Sequence, residues 1–463
     1  MPYAQPLMAG YLLDTGSSFA ITCRIRRLQR PNGGCVIKSN TLLRVVYSLG
    51  VYFILSQSAV AQSVLNFART TVNDQFNAGV AVTNPTSQYA DVVFTFYGLD
   101  GNPISSGLIN PVSYRISPKG QISMLASDIF GGSKVDGWVQ ATSAASGLIG
   151  FYLSGDFTSE VEDMEAAAAL TTQVIPAFRD DSANRTEIVI LNPGAGTSNV
   201  TVNFFGMRGE EAGTVVRSLA PHAAFKLRPS ALVANPSAGS FSARISSSTP
   251  VAATAVVQRD SGLMFAAGQA TDQPASVRVA PHFTSGNGFD PVIALTNPNT
   301  SAVTVTVTVF SETGGPVYPS LTTPSSRNFV IPPNGSIFAD VRTIVGLLFA
   351  PSINGWARID SPSVVLNGYL ILDQGPTATS IPFQTNPTDR MIFSQSVGTQ
   401  SLFTGLILTN PSGLASAVDL SLVREDGTIF AQTTTNIPAT RKFSALLRDI
   451  FRRQQVRRAA ICS

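Results

Sequence analysis

The sequence is poor in the residues from which catalytic and metal sites are built. Its 463 residues include 3 cysteines and 2 histidines, and 13% are charged, about half of the usual share. The cysteines are residues 23, 35 and 462, so residues 62–451 contain none. Disulfides and cysteine-bound zinc are therefore excluded from that region. Small secreted eukaryotic domains often carry a disulfide, so the absence of cysteines from these residues favours a bacterial protein.

Positive charge is concentrated at the two ends of the chain. The formal net charge is +3, but residues 45–451 carry 27 acidic against 21 basic side chains. No basic stripe is present, which argues against a nucleic-acid partner. The chain also lacks the glycine-rich loops that hold phosphates and dinucleotides and the serine elbow of hydrolases. We therefore predict no cofactor and no metal.

An Asn-Pro signal recurs at a long, nearly constant spacing. Residues Leu295–Phe310 read LTNPNTSAVTVTVTVF, in which valine alternates with threonine. This alternation predicts an antiparallel strand with one buried face, including Val305, Val307 and Val309. The proline ends the preceding strand and opens a turn. The equivalent asparagines are Asn84, Asn192, Asn297 and Asn410, separated by 108, 105 and 113 residues.

Each period predicts one β-sandwich. A glycine turn, a proline-led turn and a short helical turn follow the alternating strand in the same order each time. About seven short strands in roughly 100 residues match an immunoglobulin-like or fibronectin-III-like sandwich. The fold class is therefore all-β, a tandem array of antiparallel sandwiches with the last one incomplete. The expected units are residues 62–172 (unit 1), 173–274 (unit 2), 275–386 (unit 3) and 387–451 (unit 4).

The units are expected to fold as separate beads joined by linkers. The linker segments are SGDFTSEVEDMEAAAALTT, GQATDQPAS and GPTATSIPFQTNPTD, and the alanines of the first allow a short helix. Unit 4 is expected to lack its final hairpin. Residues 452–463, RRQQVRRAAICS, form an aberrant basic tail, for which a frameshift or truncated gene is the first explanation and a functional basic tail the second.

The segments NPxxxxAxVTVTVF, PPNGS and ADVRTIVG resemble the Ig-like repeats of secreted bacterial surface proteins. The resemblance covers roughly residues 62–451 and is one of layout. It implies an extracytoplasmic sandwich array with an adhesive, spacer or accessory role. It implies no active-site residues, because that family is functionally diverse.

Residues 38–61 have the organisation of a secretory signal peptide. Lys38 and Arg44 precede an apolar core, residues 45–55, and a small-residue site predicts cleavage between Ala61 and Gln62. The core is shorter than a membrane span needs, so no span is expected after cleavage. Residues 1–37 precede this signal and are interpreted as a mis-called or extended N-terminus. The expected location is secreted or on the cell surface.

Three types of candidate site residue remain. Asp14, in DTGS, resembles an aspartic-protease loop, but those enzymes need a second such aspartate. The one partner-like segment, DSGL at Asp260, has leucine where a Ser or Thr should follow the glycine. His222 and His282 occupy different repeat positions and have no ligand spacing. Trp138 and Trp356 occupy equivalent positions, where a tryptophan either stacks on a sugar or packs in the core.

The sequence therefore favours a non-catalytic secreted bacterial protein with a structural, adhesive or protein-interaction role. The alternative is a carbohydrate-binding accessory protein using Trp138 and Trp356. A protease using Asp14 is a remote third hypothesis. The partner is expected to be an unidentified protein or glycan at the cell surface.

Overall fold

The computed structural model describes residues 19–27, 62–74, 76–132, 134–155, 161–234, 239–259, 262–317, 324–346, 352–375, 378–385, 388–396 and 404–451. Within these ranges the chain is mostly antiparallel β-structure, arranged as tandem two-layer sandwiches. This confirms the predicted fold class. None of the helices in these ranges is both long enough and apolar enough for a membrane span.

Unit 1 is a sandwich of two four-stranded sheets. The first strand of the chain and the elements of unit 1 are β1 (Phe19–Arg27), β2 (Ser63–Val72), β3 (Asn77–Thr83), β4 (Ala90–Tyr97), β5 (Val112–Ile116), β6 (Gln121–Leu125), α1 (Ala126–Phe130), β7 (Val135–Ser143), β8 (Ile149–Gly155) and β9 (Val161–Glu165). The first sheet of unit 1 has the order β2-β7-β4-β5, and the second has the order β6-β3-β8-β9.

Unit 2 repeats this arrangement, but one long strand serves both sheets. Its elements are β10 (Leu170–Arg179), β11 (Arg185–Leu191), β12 (Ser198–Gly206), β13 (Glu211–Leu219), β14 (Ala224–Leu227), a 3-10 turn (Pro229–Ala231), β15 (Ser240–Arg259), β16 (Gly262–Ala267) and β17 (Gln269–Ala270). The first half of β15 pairs with β10 and β12, and its second half pairs with β11 and β16.

Unit 3 has the same two sheets as unit 1. Its elements are β18 (Ala275–Ser285), β19 (Asp290–Thr296), β20 (Val303–Ser311), β21 (Ser325–Ile331), β22 (Ser336–Asp340), α2 (Val341–Val345), β23 (Ile353–Val364), β24 (Asn367–Asp373) and β25 (Ala378–Pro382). The sheet orders are β18-β23-β20-β21 and β22-β19-β24-β25.

Unit 4 takes one of its strands from the other end of the chain. Its own strands are β26 (Arg390–Ser396), β27 (Gly405–Thr409), β28 (Ser416–Arg424), β29 (Ile429–Ile437) and β30 (Lys442–Leu446), followed by a helical turn at 447–451. The first sheet has the order β26-β1-β28-β29, and the second contains β27 and β30 alone among the described residues.

The alternating strand of unit 3 behaves as its sequence predicts. Val305, Val307 and Val309 are fully buried in the core between the two sheets, while Thr304 is exposed. Hydroxyl groups on the opposite face bond across to the neighbouring strand, as Thr306 does to Asn328 at 2.8 Å. Period-two patterning therefore sets which face of the sheet enters the core.

The recurring asparagine joins three segments of its unit. In unit 3, the Nδ2 of Asn297 donates to the carbonyl oxygens of Ser301 (2.8 Å), Ile331 (3.0 Å) and Pro332 (3.0 Å). Its Oδ1 accepts from the backbone N–H of Asn299 at 3.1 Å. The other three asparagines make the same set of bonds. A buried amide can satisfy this many partners, which explains why this residue type recurs.

Two sequence expectations need correction. The first expected linker carries strand β9 rather than a helix, and β25 lies in the third; both extend the second sheet of the preceding unit. Strand β10 also begins at Leu170, before the expected boundary at residue 173. The units are therefore docked sandwiches rather than beads on linkers.

The N-terminal region contributes a strand to the repeats. Residues 1–37, interpreted as a mis-called or extended N-terminus, include β1, which pairs with β26 and β28 of unit 4. Alternating apolar residues make this segment compatible with a half-buried strand. The signal segment 38–61 and the tail 452–463 lie outside the described residues.

Candidate functional site

Each unit docks on the next through the same pair of turns. The glycine turn (98–101, 206–209, 311–314 and 424–427) supplies a backbone carbonyl, and the residue after the proline-led turn of the next unit (117–120, 220–223, 332–335 and 438–441) donates its N–H to it. The bonds are Ala224 N to Leu99 O (3.0 Å), Ser336 N to Met207 O (3.0 Å), Lys442 N to Glu312 O (2.9 Å) and Gln121 N to Glu425 O (3.0 Å). Since the last bond joins unit 4 to unit 1, the four junctions form a closed cycle.

The glycine turns require glycine for two reasons. Gly101, Gly209, Gly314 and Gly427 have φ between 80° and 86°, a region that other residues rarely adopt. A Cβ at each position would also fall inside contact distance of a backbone carbonyl oxygen in the docked proline-led turn. The glycine therefore permits both the turn and the close approach of the next unit.

One residue of each proline-led turn has a left-handed backbone conformation. Lys119, His222, Asn334 and Thr440 have positive φ, between 56° and 61°, although none is glycine. Such conformations cost energy for ordinary residues and persist where the surrounding contacts hold them. Here the bend places the turn backbone against the glycine turn of the neighbouring unit.

At the junction of units 1 and 2, Trp138 is fully buried. Its indole N–H donates to the carbonyl oxygen of His222 at 2.9 Å. Tyr97 stacks on both residues, with ring centroids 5.0 Å from Trp138 and 4.4 Å from His222. The aromatic contacts and the hydrogen bond together fix the proline-led turn of unit 2 against unit 1.

The junction of units 3 and 4 repeats this arrangement. Trp356 is 1% exposed, donates its indole N–H to the carbonyl oxygen of Thr440 at 3.2 Å, and stacks on Phe310 at 4.3 Å. Sugar stacking needs an exposed ring face, and neither tryptophan offers one while the units are docked. The structure thus places both residues in unit junctions instead.

A buried lysine adds to this junction. The side chain of Lys442 has no exposed surface, and its Nζ lies 2.7 Å from Asn354 Oδ1, 3.0 Å from His282 Nδ1 and 3.3 Å from Glu312 Oε1. Burial lowers the pKa of Lys442 to about 8, although Glu312 opposes the shift. Burial and the nearby lysine lower the pKa of His282 to about 3. His282 is therefore neutral and accepts from the ammonium group.

The junction of units 2 and 3 has no tryptophan, because Ser242 occupies that position. Arg259 instead holds Asp373 through two bonds of 2.6 and 2.9 Å. The hydroxyl of Tyr369 donates to the carbonyl oxygen of Ala177. A partly buried bidentate pair has the geometry for a strong, directional contact.

The first strand of each unit carries a bulge, and in units 1, 2 and 3 this bulge also contacts the next unit. Pairing slips at this point in β2, β10, β18 and β26. Arg69 then pairs with Glu187 at 3.6 Å, the N–H of Ala177 donates to Thr296 Oγ1 at 2.9 Å, and Pro281 O accepts from Thr409 Oγ1 at 2.7 Å. Bulges commonly re-aim part of a strand in this way.

The junction of units 4 and 1 is also made through a pair of turns. Its turn-to-turn bond joins Gln121 to Glu425, and Arg390 Nη2 lies 3.4 Å from the carbonyl oxygen of Pro85. The tryptophan position of unit 4 is Ala20 of β1, since Ala20 pairs with Val423 as Trp138 pairs with Tyr97. This junction therefore closes the cycle without an indole.

Strand β1 fills a gap that we call the strand slot, the space between β26 and β28. In units 1 and 3 the same position holds β7 and β23, which belong to their own units. Ala20, Ile21 and Cys23 are buried in the slot, whereas Arg24 is exposed. Burial raises the pKa of the Cys23 thiol to about 12, so a docked Cys23 is unreactive.

Within the described residues, the remaining candidates do not assemble into a catalytic or metal site. Asp14 and Ala61 lie outside the described residues, and Gln62 is exposed at the start of unit 1. In the part of the chain that is described, no three His, Cys, Asp or Glu side chains are grouped to hold a metal. A cavity beside Arg259 and Asp373 measures about 10 Å³, the lower limit for one water.

Comparisons with known proteins leave the family of the chain open. No protein-family model matches the sequence. No curated protein matches it either.

Sequence reasoning missed the junctions. The glycine turns and proline-led turns were recognised as repeated signals, but only as hairpin chemistry. The sequence did contain one signal that the two kinds of turn contact each other. Every glycine turn has glycine at the same position, whereas the residue before it varies. These glycines are Gly101, Gly209, Gly314 and Gly427.

Proposed function

We propose that this protein is a non-catalytic, secreted bacterial protein with a structural or protein-interaction role at the cell surface. The observation that supports this most is the closed cycle of four junctions built from one repeated pair of turns. Such a cycle makes a stiff body and places equivalent strands at equivalent positions in every unit. A stiff body with repeated surfaces suits multivalent attachment, because each further contact is made at high effective concentration.

The outward surfaces available for such contacts are polar strands. In each unit the first sheet ends in an edge strand, namely β5, β13, β21 or β29, whose outward residues are largely exposed. Side-chain hydrogen bonds between neighbouring strands fix the polar side chains on these faces. Examples are Asn203 with Thr214 (2.8 Å) and Asp419 with Thr434 (2.8 Å). A protein partner that binds through hydrogen bonds to these polar side chains would suit this surface.

The carbohydrate-binding alternative loses its main support, because Trp138 and Trp356 are both buried at junctions. Only the signal-like segment that precedes Gln62 supports export.

The proposal is tested by export and by binding. Protein recovered from the medium or envelope of the native host should begin at Gln62, and the purified protein should bind intact cells. We expect that binding to be lost after the cells are treated with protease and to persist in the presence of soluble sugars. Retention of the protein in the cytoplasm, or binding to a glycan array alone, contradicts the proposal.

A further inference from the structure

The strand slot of unit 4 is filled by a segment that is remote in sequence. The residues on either side of the slot are Arg390–Ser396 and Ser416–Arg424, whereas its occupant is Phe19–Arg27. The pairing with β28 runs without a break from Phe19 opposite Arg424 to Arg27 opposite Ser416. The occupant is thus held by strand pairing and side-chain burial within the slot.

The slot recognises an extended segment by two features. Ladder hydrogen bonds on both sides fix an antiparallel direction and a register. Alternate side chains then enter the core, where Ile21 and Cys23 join a cluster with Leu406, Leu408 and Leu420. Main-chain bonds supply affinity and alternate pockets supply specificity, as in other cases of strand addition.

We propose that the strand slot is a β-strand-binding site of the chain before signal cleavage, and that its ligand is the Phe19–Arg27 segment of a second uncleaved copy as well as of its own. Cleavage before Gln62 would remove this segment from the chain. The second copy is the occupant that the contacts favour, because it carries the same residues and makes the same bonds in the same register. Exchange of an identical element between copies is a low-cost route to oligomers.

The intact chain disfavours exchange, because its own strand competes at an effective concentration in the millimolar range. The test therefore begins with a full-length chain whose own strand is disabled. Ile21→Asp places a charge at a fully buried position of β1. The control is Arg24→Gln, which changes an exposed position of the same strand without placing a carboxylate opposite Asp419, the residue that pairs with Arg24. A fluorescent peptide of residues 17–29 is the probe.

The Ile21→Asp chain should bind the peptide saturably, as measured by anisotropy, and should protect the peptide Cys23 from iodoacetamide. A peptide carrying Ile21→Asp should bind about a hundred-fold more weakly, because it would bury a charge. The Arg24→Gln chain should take up no peptide, since its own strand stays docked. Equal binding of the two peptides, or no binding to a folded Ile21→Asp chain, overturns the proposal.

A second measurement does not depend on the folding of that variant. A specific protease site in place of residues 31–34 allows the natural strand to be cut from its tether after folding. Excess labelled peptide should then replace the cut fragment. Failure of the peptide to enter while the fragment leaves overturns the proposal.

Donation between copies is tested by complementation. Leu420→Asp blocks the slot, because Leu420 is fully buried opposite Cys23, but leaves β1 free to be donated. A mixture of Ile21→Asp and Leu420→Asp chains should contain a species of twice the monomer mass in light scattering. Each variant alone should lack it, and a mixture that stays monomeric refutes donation by a second copy.

Discussion

Trp138 donates its indole N–H to the carbonyl oxygen of His222, a residue of the next unit that lies 84 positions further along the chain. Trp356 makes the same bond to Thr440 across the same separation of 84 positions. Two units of the chain thus carry one docking device in identical register. The repeat in the sequence therefore encodes the junction between neighbours as well as the fold of each unit.

Trp356 substitutions should weaken the junction of units 3 and 4 in two steps. Trp356→Phe keeps much of the stacking on Phe310 but leaves the Thr440 carbonyl without its donor, so we expect a loss of about 1–2 kcal/mol. Trp356→Ala also removes the buried ring and should cost about 3–5 kcal/mol. Urea unfolding measures both losses, and an unchanged stability of the alanine variant contradicts the assigned packing.

Gly427→Ala should open the junction that closes the cycle. The glycine has φ of 85°, and an added Cβ would meet the carbonyl oxygen of Pro118 in unit 1. Gly413 is the matched control in the same unit, since a Cβ there meets nothing within 4 Å. Small-angle scattering should show a larger radius of gyration for Gly427→Ala and no change for Gly413→Ala. Equal radii for the two variants would mean that this contact does not hold the cycle closed.

Asn192→Ala should destabilise unit 2 far more than Asn199→Ala. Asn192 is fully buried, and its amide donates to the carbonyl oxygens of Gly196, Leu219 and Ala220. Removing the amide deprives the buried Leu219 carbonyl of this donor and breaks the two part-buried bonds, at a cost of about 2–4 kcal/mol in the free energy of unfolding. Asn199 is exposed, so its substitution should cost less than about 0.5 kcal/mol. Thermal unfolding distinguishes the two, and similar losses would refute the bridging role.

The junction of units 3 and 4 should weaken in acid. Its His282 has a folded pKa of about 3, against 6.5 when unfolded, so the unfolded state binds a proton that the folded state excludes. The stability that depends on neutral His282 is complete above pH 6.5 and is lost progressively as the pH falls toward 3. His282→Gln should flatten this part of the pH profile of urea unfolding. An unchanged slope between pH 6.5 and 4 would show that His282 does not control it.

Lys442 predicts a second pH range, in base, over which the free energy of unfolding rises with pH. Its folded pKa of about 8 lies below the ordinary lysine value of 10.5, so the unfolded state binds more protons between these values. Stability should therefore rise as the pH increases from 8 to 10.5. Lys442→Met should remove this rise while keeping the stem packed between the units. A rise of the same size in that variant would assign the effect to another group.

Local patterns predicted the sandwiches but not their assembly. Val305 and Val307 alternate with threonines, so one face of β20 was assignable to the core from period alone. The contact of Gly427 with Pro118 could not be predicted, because it joins turns that are about 300 residues apart in sequence. The strand role of Phe19–Arg27 was missed for the same reason. Its pairing with β28 depends on the strand slot of unit 4, which is formed by residues far away in the sequence.

The fourth unit should be the first part of the molecule to open. Its second sheet has two strands, β27 and β30, among the described residues, whereas those of units 1 and 3 have four. Fewer paired strands leave more backbone groups at a sheet edge and less apolar surface covered. Limited proteolysis should therefore cut beyond about Thr388 while units 1–3 persist.

The strand in the slot sets the extent of this weakness. Ile21→Asp should accelerate cleavage beyond Thr388 several-fold, because displaced β1 leaves β26 and β28 unpaired on their inner sides. Arg24→Gln should leave the cleavage rate near that of the unmodified chain, since that side chain is exposed. Added peptide of residues 17–29 should restore protection to the Ile21→Asp chain alone. If unit 4 instead resists protease as well as unit 3 does in the Ile21→Asp chain, then the strand slot does not limit the stability of unit 4.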